Sequence, residues 1–204
     1  GGTIDFAGTV DGAQDLTVAS AGTTTFNGNV GSGVGTELGD GTGAAITINS
    51  TGLTRFTGTL ETKSGLTGTG SVRFDDAVTL AAGNTATTLN GDVTLDGLTF
   101  NSAGNVTLGD ATSDTLTIST AAVTVKTPGA TLNIPSNAVI NDGLVLTLGD
   151  GGATAIIAGG TISGQASANS DLVVNTTGTA AFNGIIGGGS QFRHLTVTQS
   201  GGTT

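Results

Sequence analysis

His194 and a few pairs of carboxylates are the side chains of this 204-residue chain best suited to acid–base chemistry. His194 is the only histidine, so a two-histidine metal site is excluded. It stands in Gln191-Phe-Arg-His-Leu195, just before an apolar alternation, and reads as a surface or corner residue. A Ser-His-Asp triad could be assembled only around it, and no serine lies in a Gly-x-Ser-x-Gly elbow. Asp75-Asp76 is the one adjacent acid pair. Neighbours in a strand point to opposite faces, so these two would not share a site without a bulge. Asp92 with Asp96, and Asp110 with Asp114, are spaced to approach each other across loops. Glycoside hydrolysis needs two carboxyls roughly 5–9 Å apart across a cleft. No Trp or Tyr is present on which a sugar could stack. Gly39-Asp40-Gly41 and Gly149-Asp150-Gly151 could offer oxygen ligands to calcium, but they are isolated, and a structural turn is the favoured reading. The chain is therefore read as a non-enzyme, with no catalytic, cofactor-binding or metal residue assigned.

Charge narrows the partners. Thirteen Asp and two Glu against five basic residues give a net charge of −10. Nucleic acid demands clustered Lys and Arg, so it is not an expected partner; an anionic membrane surface is disfavoured for the same reason. No apolar run approaches the ~20 residues of a membrane-spanning helix, so no transmembrane segment is expected. With no Cys, disulfides and thiolate metal sites are excluded. The chain opens on Gly1 without a Met or a charged-then-apolar leader, as expected if a signal peptide has been removed or the true start lies elsewhere.

The elements that would position any site are strands. Glu, Lys and Arg are scarce, and Val, Ile, Leu and Thr abound, which disfavours both helix and disorder. An apolar-Thr-apolar triplet recurs ten times, from Leu16-Thr-Val18 through Leu98-Thr-Phe100 to Leu195-Thr-Val197. Each places two apolar residues on one face and Thr on the other. Gly, Asn, Asp and Ser separate the triplets at intervals too short for helical crossovers. The Asp residues beside Gly, such as Asp11, Asp40, Asp96, Asp110 and Asp150, are expected to bond their own backbone in turns.

Many short strands fit either a β-sandwich or a β-solenoid. Three stretches decide between them: Leu16–Val30, Ile46–Leu60 and Leu172–Ile186 are copies of one frame. That frame is an apolar-x-apolar triplet, Gly at place seven, Phe at eleven, Gly at thirteen and an apolar residue at fifteen. A period near 20 residues is a solenoid signature and is too short for a sandwich domain. Phe6, Phe26, Phe56, Phe74 and Phe182, with Leu89 substituting in one turn, are expected to stack as one interior row. The first four are spaced by 20, 30 and 18 residues, which implies loops of unequal length on a constant coil. Gly31 to Gly43 reads as an excursion, and Pro128 and Pro135 as corner residues. The predicted fold is all-β: one continuous β-solenoid segment over residues 1–204, as a right-handed parallel β-helix. About nine turns at 20–25 residues each make a rod about 40–45 Å long.

The frame Leu-Thr-Val-x-x-x-Gly-x-Thr-x-Phe-Asn-Gly-x-Val resembles repeat regions of filamentous-haemagglutinin-like adhesins and of autotransporter passengers with β-strand repeats. The resemblance is clearest over residues 1–60 and 172–204. It implies a right-handed parallel β-helix, export to the bacterial cell surface, and a role in adhesion or as a stalk.

The expected function is thus a structural or adhesive rod segment of a large extracellular bacterial surface protein or filament, without cofactors. Gly1 to Val10 match Ala21 to Val30, and Leu195 to Thr204 match Leu16 to Thr25, so both ends fall inside a copy of the frame. Expected partners are therefore flanking repeats, or further copies of the chain end to end, together with host or neighbouring cell surfaces or matrix. A self-assembling filament or sheath subunit is the main alternative. A β-helix polysaccharide-degrading enzyme and an ice-binding solenoid are further ones, the latter from Thr-x-Thr pairs at 23/25, 57/59, 67/69, 85/87, 115/117 and 196/198.

Overall fold

The computed structural model describes residues 2–33, 35–81, 85–165 and 167–201. Among them every regular element is a strand of three to six residues, and there is no helix. Three residues suffice because an apolar-x-apolar triplet buries two side chains and turns one outward. Gly, Asx, Ser or Pro then bends the chain into the next strand.

The strands form three parallel sheets. Sheet 1 runs from Ile4–Phe6 through Thr24–Phe26, Thr54–Phe56, Val72–Phe74, Val93–Leu95, Thr115–Ile118 and Asn137–Ile140 to Ile162–Gly164. Sheet 2 comprises Leu60–Thr62, Val78–Leu80, Thr99–Ser102, Val123–Lys126, Val145–Leu148, Asp171–Thr176 and His194–Gln199. Single bridges extend it back through Val30 to Val10. Sheet 3 holds Leu16–Val18, Ile46–Ile48, Leu66–Gly68, Thr87–Leu89, Val106–Leu108, Thr131–Ile134, Ala155–Ala158 and Thr179–Phe182. The chain visits sheets 1, 2 and 3 in turn, and each strand pairs with the strand one turn later. The fold is a parallel β-solenoid of about eight turns, close to the nine expected. At ~4.8 Å per strand the eight turns span about 35 Å.

The interior is a set of in-register columns. In sheet 1, Phe6, Phe26, Phe56 and Phe74 stack with ring centroids 4.6, 4.8 and 5.3 Å apart and nearly parallel planes. Two members of the expected row belong elsewhere. The residue in register after Phe74 is Leu95, followed by Ile118, Ile140 and Gly164. Leu89 lies in sheet 3 between Gly68 and Leu108. Phe182 also lies in sheet 3, beside Ala158, and is only partly buried. For Phe182 the cause is a shift of the third copy around the coil. Leu16 and Ile46 start their copies on sheet 3, whereas Leu172 starts its copy on sheet 2. The frame encodes strand, corner and strand, and nothing in it marks which of the three faces a strand joins. Phe100, outside the expected row, projects from sheet 2 and meets the Phe74 ring edge-on at 5.7 Å.

Three local expectations are refined. Leu98 is 72% exposed, because the bend at Gly97–Leu98 delays the strand to Thr99 and leaves Phe100 and Ser102 as the inward pair. Leu195 and Val197 are on a strand but exposed, in the last turn. The Gly31–Gly43 segment is not wholly an excursion. Leu38 returns to the core, its N–H donating to Glu61 O while its own carbonyl accepts from Lys63 N. Val34, within that segment, lies outside the described residues, as do Gly1 and residues 202–204 of the terminal copies. Pro128 and Pro135 do lie between strands, at corners.

Candidate functional site

The densest group of charged side chains lies where sheet 1 turns toward sheet 2. Arg55 and Arg73 occupy the outward position of successive sheet 1 strands and are directly paired in register. Like charges side by side are held apart from mutual repulsion by Asp75, whose carboxylate accepts from Nε of both arginines. Asp96, one turn on, takes Arg73 Nη2 at 2.6 Å. Its other contacts come from the following turn: Ser119 N at 3.0 Å, Ser119 Oγ at 2.7 Å and Thr120 N at 2.9 Å. Burial pushes the Asp96 carboxyl up, but the Ser119 and Thr120 bonds and the Arg73 charge outweigh it and hold it below the usual range. Arg73 is held above its ordinary value by its bond to Asp75. Both Asp75 and Asp96 are engaged by partners from neighbouring turns, so the arrangement clamps turns together.

The same device recurs along the coil. Asp11 accepts from Ser32 N, Asn29 from Thr59 N, Asp92 from Thr115 N, Asn105 from Thr131 N, Asn137 from Thr161 N and Asp171 from His194 N. In each case a side-chain oxygen of one turn caps a backbone N–H of the next. Asp40 and Asp150 do bond their own turns, at Thr42 N and Gly152 N. Asp11 and Asp96 instead bridge turns, which corrects the expectation for them. The reason is geometric: stacked corners bring the next turn's N–H within ~4.8 Å, as near as the residue's own loop.

The remaining candidates are dispersed. Asp75 is engaged by the arginines, while Asp76 accepts from Ala77 N. Asp92 and Asp96 flank the Val93–Leu95 strand, bond to different residues of the next turn and do not pair. Asp110 and Asp114 do come together. Hydrogen bonding to the Asp114 carboxylate raises Asp110, and Asp114 is lowered, foremost by the Asp110 backbone N–H. Asp114 Oδ2 accepts from the N–H groups of Asp110 and Ala111, at 3.0 and 3.1 Å, so the pair closes its own loop. His194 Nδ1 lies 3.1 Å from Asp171 Oδ1, and Arg193 donates to the same carboxylate, holding it low. Among the described residues, no group of three or more His, Asp or Glu is placed to hold a metal.

The Thr-x-Thr pairs do not form one grid. Thr25 and Thr117 face outward on sheet 1, Thr196 and Thr198 on sheet 2, and Thr87 is buried. The continuous line is a different one: Thr17, Thr47, Thr67, Thr88 and Thr107, in register on the outside of sheet 3. It continues as Asn133, Ile157 and Ala181, and no strand of sheet 3 carries a charged residue. The central Thr of the triplets carried that signal; the Thr-x-Thr spacing did not.

At the last turn a cleft of 370 Å³ is lined by Ile186, Gly187, Gln191, Phe192 and Leu195. Ile185 and Leu195 are exposed here, as is Ile4 at the first turn. No helix is long and apolar enough to cross a membrane, which says nothing of membrane β-barrels.

Fold and site together define a three-sheet parallel β-solenoid whose polar groups act as inter-turn clamps. No protein-family profile matches the sequence, and neither a curated protein nor a solved structure matches it.

Proposed function

We propose that this chain is a non-catalytic, structural or adhesive rod segment of a large extracellular bacterial surface protein or filament. The observation that carries the reading is continuity. Three sets of parallel pairings and a largely apolar interior run along the coil, and a recurring set of Asp and Asn side chains ties each turn to the next. Such a coil resists bending and extension because successive turns are joined by ladders or single bridges on three faces. Irregular corners, such as the loop between Val30 and Leu38, can present varied surface without disturbing it. The test is single-molecule stretching of the chain between two inert handle domains, with binding to bacterial and host-cell surfaces measured beside it. Stepwise resistance in units of about one turn supports the rod. Elastic extension without a force plateau removes it.

A second reading is a filament or sheath subunit stacking end to end. It is favoured by parallel in-register pairing on all three faces, a strand-to-strand geometry that a second copy could extend. Sedimentation over a wide concentration range tests it, since persistent monomers at high concentration oppose it. A polysaccharide-degrading enzyme and an ice-binding solenoid are answered by assay on acidic polysaccharides and by thermal hysteresis.

A further inference from the structure

Asp96 is the one charged residue among the buried side chains of the described chain. It stands just past the Val93–Leu95 strand, in the middle of the coil. We propose that its carboxylate is the pin of an acid-sensitive lock, so that protonating it opens the coil from the middle rather than from its ends.

The argument starts from what the carboxylate joins. One oxygen takes Arg73 Nη2 from the preceding turn, and the other takes Ser119 N and Thr120 N from the following turn. Ser119 Oγ lies within hydrogen-bond distance of both oxygens. One side chain therefore fastens three successive turns. The fastening propagates outward at both sides. Arg73 shares Asp75 with Arg55, a turn earlier. Ser119 O accepts Asn141 Nδ2, a turn later. From Arg55 to Asn141 the same corner is stitched across five turns, and Asp96 is the link between its two halves.

The charges facing Asp96 decide what protonation does. Arg73 and Asp75 face it from the Val72–Phe74 strand and its end, Arg55 reaches the group through Asp75, and Asp76 lies against Gly97. The following turn contributes only Ser119 and Thr120, which do not titrate. A protonated Asp96 keeps less acceptor capacity than its four donor groups, Arg73 Nη2, Ser119 N, Ser119 Oγ and Thr120 N, require. It also leaves two guanidinium groups to share the single carboxylate of Asp75. Because the folded carboxyl lies below the free value of about 3.9, its stabilisation is complete at neutral pH. It is lost only as pH falls through that lower folded value.

Amide hydrogen exchange, corrected for intrinsic rates, tests this between about pH 7 and pH 2. In the wild type, strands Val72–Phe74, Val93–Leu95 and Thr115–Ile118 should lose protection in acid. The loss should be about tenfold for each unit by which the carboxyl is displaced, while strands nearer either end of the stitched region lose less. Asp96→Asn should show the central loss already at pH 7 and abolish its acid dependence. Ser119→Ala keeps the ion pair but removes one group that lowers the carboxyl. It should fold and move the acid opening to higher pH, a shift that a merely space-filling serine would not cause. The proposal is overturned if the central strands stay protected throughout, if opening begins at the ends, or if Ser119→Ala leaves the acid midpoint unmoved.

Discussion

Replacing Phe56 with Ala tests the aromatic column most directly. Phe56 is 1% exposed, and its ring lies between those of Phe26 at 4.8 Å and Phe74 at 5.3 Å. Truncating a buried Phe costs about 3–5 kcal/mol through lost transfer energy and the cavity left behind. Each aromatic pair adds about 0.5–1.5 kcal/mol beyond burial, and Phe56 loses two, which places the expected cost near the upper end, about 4–5 kcal/mol. Phe6 is the internal control. It is only partly buried and stacks on Phe26 alone, so Phe6→Ala should cost about 1–2 kcal/mol. A solenoid can unfold in parts, so a single transition is not assumed. Urea titration should be followed both by far-UV circular dichroism and by exchange of the Thr24–Phe26 and Val72–Phe74 amides. Equal costs at Phe6 and Phe56, or a cost below about 1 kcal/mol at Phe56, would refute the claim that this column holds the coil.

Other substitutions probe separate parts of the argument. Thr54 Oγ1 is buried with no hydrogen-bond partner among the described residues, and Val72 occupies the next place in its column. Thr54→Val should therefore stabilise by about 1 kcal/mol, read as a higher urea midpoint. Gly149 has φ +79°, and a Cβ there would lie 2.1 Å from Asn175 O. Gly149→Ala should cost at least about 2 kcal/mol in the same titration and accelerate exchange around Val145–Leu148. Asn137 accepts from Thr161 N and donates to Thr112 O, so Asn137→Ala should cost about 1–2 kcal/mol. Leu98→Ser, at an exposed corner, should change stability by no more than about 0.5 kcal/mol.

Much of this fold was legible because its period is short. Alternation in Leu16-Thr-Val18 or Val106-Thr-Leu108 identifies inward and outward residues from three positions alone. Face identity was not legible. Phe182 holds the same place in the repeated frame as Phe26, yet it lies on sheet 3 and not sheet 1. All three corners accept the same strand-Gly-strand pattern, so a strand's face depends on how many strands precede it. The Val30 and Val10 bridges, which no triplet marks, make that count uncertain from sequence. The clamps were hidden for a related reason. Asp96 and Ser119 are 23 residues apart, and the two meet only because one full turn separates them. Arg73 and Asp75 lie two residues apart in the chain, whereas Arg55 meets Asp75 only through the register of successive turns.

The coil's tolerance of unequal turns follows from where its stabilisation resides. The turn from Thr54 to Val72 takes 18 residues and that from Thr24 to Thr54 takes 30, yet both close in register. The extra length enters after Val30, where the chain leaves the ladder at Gly31 and rejoins it at Leu38. Gly31 has φ +67°, and a Cβ there would sit 1.9 Å from Glu61 O. The exit is therefore built on a residue without a side chain, pressed against the next turn. Val30 and Leu38 then pair with opposite ends of Leu60–Thr62, so the insertion costs the ladder no apolar contact. Doubling a flexible loop costs only about 0.6 kcal/mol in closure entropy, less than the burial of Leu38 returns. Corners can thus differ in length while the columns stay fixed, which divides the molecule into a core of constant geometry and corners of unequal size.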